Sequence, residues 1–322
     1  MNNSSTFSSG WATVARRYLG PLLLAISFLL LAHQGWRKWI DIQVDYGRLV
    51  YIYWQMSLGK VLYRDIAWMH GPLAEYINMT LFSLLGSSIT VLMVANLGLI
   101  ALLTTLVYRY FLPITDRLTA TVIGLALLQI FCLGQYDPTS CFNFVAPYNY
   151  DLTWGVVLSV GVLYCLSRHN VTKQRHWLLV AGVCWGAVFL TKAETMLAIS
   201  GAVLAYPLLR RLTNQWGTKE TLQTLGYLLA AALLPMMAFG GYFLTKMPAM
   251  VALKGILGNW YYLMGRRPLQ DPFYQLVLGT DKLAFNIGRA LLLLGLGLLA
   301  LAVVTGIDYA LRRVKLSPII YV

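Results

Sequence analysis

Apolar residues fall in eight long blocks along this chain, at 18–35, 88–111, 118–135, 152–167, 177–190, 195–209, 222–244 and 286–309. A bilayer core asks for ~20 apolar residues per helix, so each block is predicted to span a membrane. The fifth and sixth are short and are parted only by Thr191, Lys192, Ala193 and Glu194. Pro235 predicts a kink in the seventh, tolerable where neighbouring helices satisfy the freed carbonyl. Between the first two blocks, residues 41–86 break the pattern. Asp41, Asp45, Arg48, Lys60, Arg64, Asp65, His70 and Glu75 are interleaved there with aromatics. The apolar positions 49, 50, 52, 53, 54 and 56 fit a short helix lying along the membrane surface. Gly59 signals a turn, Gly71–Pro72 a break, and a second amphipathic run reaches Gly86.

Composition agrees with the pattern. With 58% hydrophobic residues, 11% charged and a mean hydropathy of +0.64, the chain cannot be wrapped into a soluble domain of its length. The expected architecture is all-α, a polytopic bundle of about eight spans forming one membrane domain over 1–322. Its first outer loop is about 36–87 and a second long one 245–285. The four cysteines have neither CxxC nor zinc spacing and read as packing residues. The N-terminus, polar and then Arg16–Arg17 before an apolar run with no cleavage site, reads as a retained signal anchor.

Charge sets the orientation. The excess of 25 Lys and Arg over 12 Asp and Glu would suggest nucleic acid in a soluble chain, but no basic tract interleaved with exposed aromatics occurs, so no nucleic acid partner is expected. In a membrane chain it reports topology and contact with anionic membrane lipids. An N-terminus inside the cell gathers Arg16, Arg17, Arg109, Arg117, Arg168, Lys173, Arg175, Arg210 and Arg211 on the cytoplasmic side. The short outer loops hold only Lys192. Nine acids then face outward: Asp41, Asp45, Asp65, Glu75, Asp137, Asp151, Glu194, Asp271 and Asp281. They fit either a polar outward cavity or ordinary solvated loops.

Several outer residues suit chemistry. Asp45 precedes the first surface helix, so it either caps that helix or, partly desolvated beside aromatic walls, accepts a proton from a hydroxyl. Asp41, four residues earlier, would share its face and offers a divalent cation a second ligand. Arg48, Arg64 and His70 suit a phosphate, although Arg64 has Asp65 beside it as an ion-pair partner. Lys192 and Glu194 sit between two short spans, where ionisable groups either pair or act. Tyr148 lies in a Pro-, Asn- and Tyr-rich loop suited to sugar stacking or to an interfacial aromatic belt. Arg266 and Arg267 stand in the last long outer segment, whose length favours function or partial helix.

The stretches VDYGRLVYIYWQMSLGKVLYRDIAWMHGPLAEYINMTLFSLLGSS (44–88), GVCWGAVFLTKAETMLA (182–198) and FYQLVLGTD (273–281) resemble a known family. It comprises the bacterial relatives of the dolichyl-phosphate-mannose protein mannosyltransferases, glycosyltransferase family 39, with their lipid A aminoarabinose transferase cousins. Asp45, Gly59, Tyr63, Asp65, Pro72, Leu73 and Gly86 follow that family's order of motifs. The family's acidic pair is here a single acid, Asp45 followed by Tyr46.

The resemblance implies a GT-C membrane enzyme in a bacterial inner membrane, with its active face periplasmic. It would take a sugar from a polyprenyl-phosphate carrier to a lipid, glycan or protein hydroxyl with inversion, Asp45 serving as base. Phosphate- and substrate-binding roles would fall to Asp41, Arg48, Arg64, Asp65, His70, Tyr148, Lys192, Glu194, Arg266 and Arg267. Relatives carry more spans, so the chain is expected to be short of C-terminal spans or a minimal member. A catalytically inactive scaffold and a lipid or solute transporter are the alternatives, the latter predicting an inverted repeat and midplane charges.

Overall fold

The computed structural model describes residues 5–38, 46–134, 143–263 and 271–313. Among them the regular structure is helical, with no sheet and a single isolated bridge between Leu62 and Ile66. The helices are α1 (Ser5–Gly35), α2 (Gly47–Ser57), α3 (Leu73–Leu85), α4 (Ile89–Phe111), α5 (Arg117–Ala126, continued by a π-turn at Leu127–Cys132), α6 (Tyr150–Thr172) and α7 (His176–Phe189). They continue as α8 (Ala193–Leu212), α9 (Thr218–Leu244), α10 (Ala249–Leu257), α11 (Asn259–Leu263), α12 (Pro272–Leu278) and α13 (Leu283–Arg313).

A helix stands at each of the eight predicted blocks. Among the described residues, five windows are long and apolar enough to cross a bilayer: Arg17–Gly35, Ile89–Phe111, Tyr150–Thr172, Thr218–Leu244 and Leu283–Ala300. Helices α5 and α7 are shorter apolar helices, and α8 carries Glu194, Arg210 and Arg211. Leu229, Leu233 and Met237 of α9 and Leu291 to Leu294 of α13 are exposed, a surface that suits lipid and not water. This is a multi-pass membrane protein.

Side chains at the predicted boundaries start the helices. Ser88 accepts the Thr90 amide at 3.2 Å, Asp116 that of Thr119 at 3.0 Å, and Asn149 that of Leu152 at 3.2 Å, each satisfying an orphan donor of the first turn. Helix α9 runs on through Pro235.

The chain divides into two units, Met1–Tyr261 and Tyr262–Val322. In the second, Asp271 caps α12 through the Phe273 amide at 2.8 Å, and the exposed apolar α13 follows. In the first, one core joins α2, α3, α4 and the start of α6, and another joins α6, α7, α8 and α9. Helix α2 buries Leu49, Ile52, Tyr53 and Met56, the i, i+3, i+4, i+7 stripe of an amphipathic helix.

Helix α7 meets α9 backbone to backbone. A Cβ at Gly182 would stand 2.6 Å from the Leu228 carbonyl oxygen, and one at Gly186 would stand 2.0 Å from that of Ala232. Small residues four apart let membrane helices approach closely. Gly186→Leu is therefore expected to lower the Tm of the detergent-solubilised protein, overpacking costing about 1–3 kcal/mol. Gly201→Leu, where an added Cβ meets nothing within 4 Å, should leave Tm unchanged.

Candidate active site

The loop between α2 and α3 is shaped by local bonds and then fastened to a distant turn. Gly59 takes a left-handed φ of 99°, a region open to glycine. The Val61 amide donates to Asp65 Oδ2 at 2.8 Å, and the Tyr63 amide to the Ile66 carbonyl at 2.9 Å. The Gly71 amide then donates to the Thr191 carbonyl at 3.0 Å and the Leu73 amide to that of Leu190 at 3.1 Å. Only glycine fits at 71, since a Cβ there would lie 2.0 Å from the Leu190 carbonyl oxygen. These contacts bring the start of α3 to the α7–α8 turn, which carries Lys192.

Two acids meet beneath that junction. Glu75, in the first turn of α3, and Asp151, in the first turn of α6, are each 1% exposed. They are close enough to hydrogen-bond once one carries a proton. Glu75 Oε1 and Oε2 and Asp151 Oδ1 have no donor within reach, so an uncharged, shared-proton arrangement is the one that burial favours. Burial pushes the Glu75 carboxyl well above the usual range. Tyr53, buried on α2, and Asn78, one turn on from Glu75, close the same space.

Lys192 is a cation near Asp151. Its side chain is 15% exposed, its Nζ lies 3.7 Å from Glu194 Oε1, and its charge acts on both Asp151 and His70. Burial first, and Lys192 next, hold the His70 imidazole down at about 4, so His70 is neutral at physiological pH. A neutral His70 offers a phosphate a hydrogen bond and no charge. Its ring stands edge-on to Trp68 at 5.2 Å, while the Arg48 guanidinium lies 5.7 Å from the centroid of the same Trp68 ring. Asn259 is a further polar neighbour of His70.

The segment leading into α6 is pinned firmly. Asn143 accepts the amides of Val145 at 2.9 Å and Ala146 at 2.8 Å, and Asn96 donates to the Val145 carbonyl at 3.0 Å. The hydroxyls of Tyr46 and Tyr150 are 3.0 Å apart, and Tyr53 meets the Tyr150 ring edge-on at 5.7 Å. The chain at Tyr46, one residue after Asp45, is thereby held against the start of α6 beside Asp151.

Arg64 and Asp65 point elsewhere. Arg64 Nε and Nη2 donate to the Asp65 carboxylate at 3.0 and 2.8 Å, and Nη1 donates to the Lys246 carbonyl at 3.2 Å. Hydrogen bonds from Arg64 and from the Val61 amide hold Asp65 down at about 2. The pairing alternative is therefore the one realised. Near it, an apolar groove of about 320 Å³ runs between Tyr76 and Met79 of α3 and Ala238, Phe239 and Tyr242 of α9. Consecutive residues of α3 thus serve two environments, Glu75 the acid pair and Tyr76 the groove.

Of the predicted site residues, Arg48, His70, Lys192 and Glu194 are brought into one neighbourhood. Tyr148 is half-buried just before α6. Asp41, Asp45, Arg266 and Arg267 lie outside the described residues, so the base, its capping alternative and the Asp41–Asp45 cation site do too. The described part of α2 has Tyr46 as its N-cap residue, and the Tyr46 side chain, bonded to Tyr150, makes no capping bond. Among the described residues no three His, Cys, Asp or Glu side chains converge on a metal position.

Sequence reading left Glu75 and Asp151 among nine outward acids that fit either a polar cavity or solvated loops, and did not pair them. The available signal was Glu75 standing as the sole acid of the apolar run 72–86, with Asn78 one turn away. Scanned against protein-family models, curated proteins and solved structures, the chain matches none.

Proposed function

We propose that this protein is a membrane glycosyltransferase of GT-C type that transfers a sugar from a polyprenyl-phosphate carrier to a hydroxyl at the outer face of the membrane. The observation that carries the reading is the buried Glu75–Asp151 pair with Lys192 beside it, one residue along α3 from an apolar aromatic groove. Such a site joins hydroxyl-binding acids and a cation to a path for a greasy tail.

The acceptor oxygen attacks the sugar C1 while its proton passes to Asp45. The bond from C1 to the phosphate oxygen breaks, and polyprenyl phosphate leaves with its charge met by Lys192 and Arg48. Glu75 and Asp151 bind sugar or acceptor hydroxyls, their hydrogen bonds strengthened by the dry surroundings. The polyprenyl tail lies along Tyr76, Met79 and Phe239.

Burial of two acids also suits a proton-coupled carrier. Glu75 and Asp151 stand in the first turns of their helices and not mid-span, which favours an end-of-membrane reaction site. The test is transfer from polyprenyl-phosphate hexoses and pentoses by the purified protein. Lys192→Met should slow transfer about ten- to a hundredfold by leaving the departing phosphate unpaired. An unchanged rate would remove Lys192 from the site.

A further inference from the structure

The other end of α6 holds a second polar cavity. From Asp151 to His169 the helical rise amounts to about 27 Å, so this cavity lies at the opposite end of the bundle from the acid pair. Its volume is about 240 Å³, and His169, Lys173, Arg175, Trp216, Glu220 and Tyr227 line it. Lys173 is the left-handed C-cap of α6, with φ 59°. The Arg175 guanidinium lies 5.6 Å from the Tyr227 ring centroid.

The cavity is built, and its charge is unbalanced. Trp216 meets the Tyr206 and His169 rings edge-on at 5.5 and 6.1 Å, and His169 Nδ1 is 2.7 Å from Tyr206 Oη. Arg210 bonds Asn170 and Gln215, and Arg211 bonds Thr218, fixing the rim. Glu220, the one acid of the lining, accepts the Gly217 amide at 2.9 Å. Among the described residues neither Lys173 nor Arg175 forms an ion pair. Two cations against one acid, neither in an ion pair among the described residues, thus face an aromatic wall where membrane helices end.

We propose that this cavity is a phosphate-binding site filled by the headgroup of an anionic phospholipid. The phosphate lies between Lys173 and Arg175, and the glycerol and first methylenes lie against Trp216 and Tyr227. Charge near a membrane surface attracts anionic lipid, and an arginine fork meets two phosphate oxygens at once. Aromatic side chains suit the boundary between headgroup and hydrocarbon. None of this depends on the transfer reaction proposed above, which uses the other end of the bundle.

The test is binding of dioleoylphosphatidylglycerol by the purified full chain, read as bound lipid in native mass spectrometry and as a Tm shift. Dioleoylphosphatidylcholine and inorganic phosphate are run in parallel. Phosphatidylglycerol should bind the parent and raise its Tm, phosphatidylcholine should not, and Lys173→Asn/Arg175→Gln should weaken binding on the order of thirtyfold. Lys173→Arg/Arg175→Lys, which keeps both charges, should retain binding.

If the neutral double variant does not fold, Lys173→Asn alone is read, since asparagine tolerates the left-handed backbone. About a fivefold loss is then expected. Binding of inorganic phosphate without binding of phosphatidylglycerol would overturn the lipid source and leave free phosphate as the ligand. Equal phosphatidylglycerol binding by parent and variants would overturn the site.

Discussion

Glu75→Gln/Asp151→Asn, made together, is expected to yield a protein that resists heat better than the parent at pH 8 yet transfers sugar about a hundredfold more slowly, or worse. The stability half follows from linkage. Burial raises the folded-state pKa of Glu75 above its ordinary value of 4.5. Its favourable contribution is therefore fully present below that ordinary value and is lost as pH rises through the raised one. The parent's Tm should fall as pH rises from about 4.5 to about 8 and level off above it.

The two amides cannot titrate, so the variant's Tm should stay flat over the same window. The activity half follows from the loss of hydrogen bonds to charged or proton-sharing acids, each costing about 1.5–3 kcal/mol when removed. A structural role for the pair predicts a different outcome, with stability lowered and transfer unaffected in proportion to folded protein. Gains in stability against losses in activity are the usual mark of a strained functional site.

Asp45→Asn should cut the transfer rate by about 10²–10⁴ with little change in carrier binding. The substitution separates the two readings of Asp45 cleanly, because asparagine caps a helix as well as aspartate does but accepts no proton. The hydroxyls of Tyr46 and Tyr150, 3.0 Å apart, hold Tyr46 at the start of α6 beside Asp151. Full activity in the asparagine variant would leave Asp45 as a cap and place the base elsewhere.

The apolar blocks were readable because lipid demands long apolar runs; a helix stands at each, and among the described residues five are long and apolar enough to cross a bilayer. The α2 stripe was readable for the same reason, its spacing being that of a helix with one buried side. Helix α3 was readable as an amphipathic run ending at Gly86, but the side it buries was not, because a membrane bundle inverts the usual assignment. It buries Glu75 and Asn78 while Leu84 and Leu85 lie 75% and 66% exposed. Local hydropathy gave no sign that Glu75 and Asn78 would be buried.

The meeting of Glu75 with Asp151 depends on residues far apart in sequence, joined through the bonds from Gly71 and Leu73 to Thr191 and Leu190. No local spacing encodes such a contact. The neutrality of His70 comes from burial and from Lys192, neither of which its neighbours in sequence reveal. Arg64 was left between two roles, and its fork on Asp65 settles it as a partner to that acid.

The most direct measurement is the product formed when the purified protein, in liposomes, is given a polyprenyl-phosphate sugar of known anomeric configuration and a hydroxyl acceptor. Transfer is expected, with the configuration at C1 inverted and the rate lost in Glu75→Gln/Asp151→Asn. Retained configuration, or the same rate with both acids replaced, would contradict a direct displacement at this site.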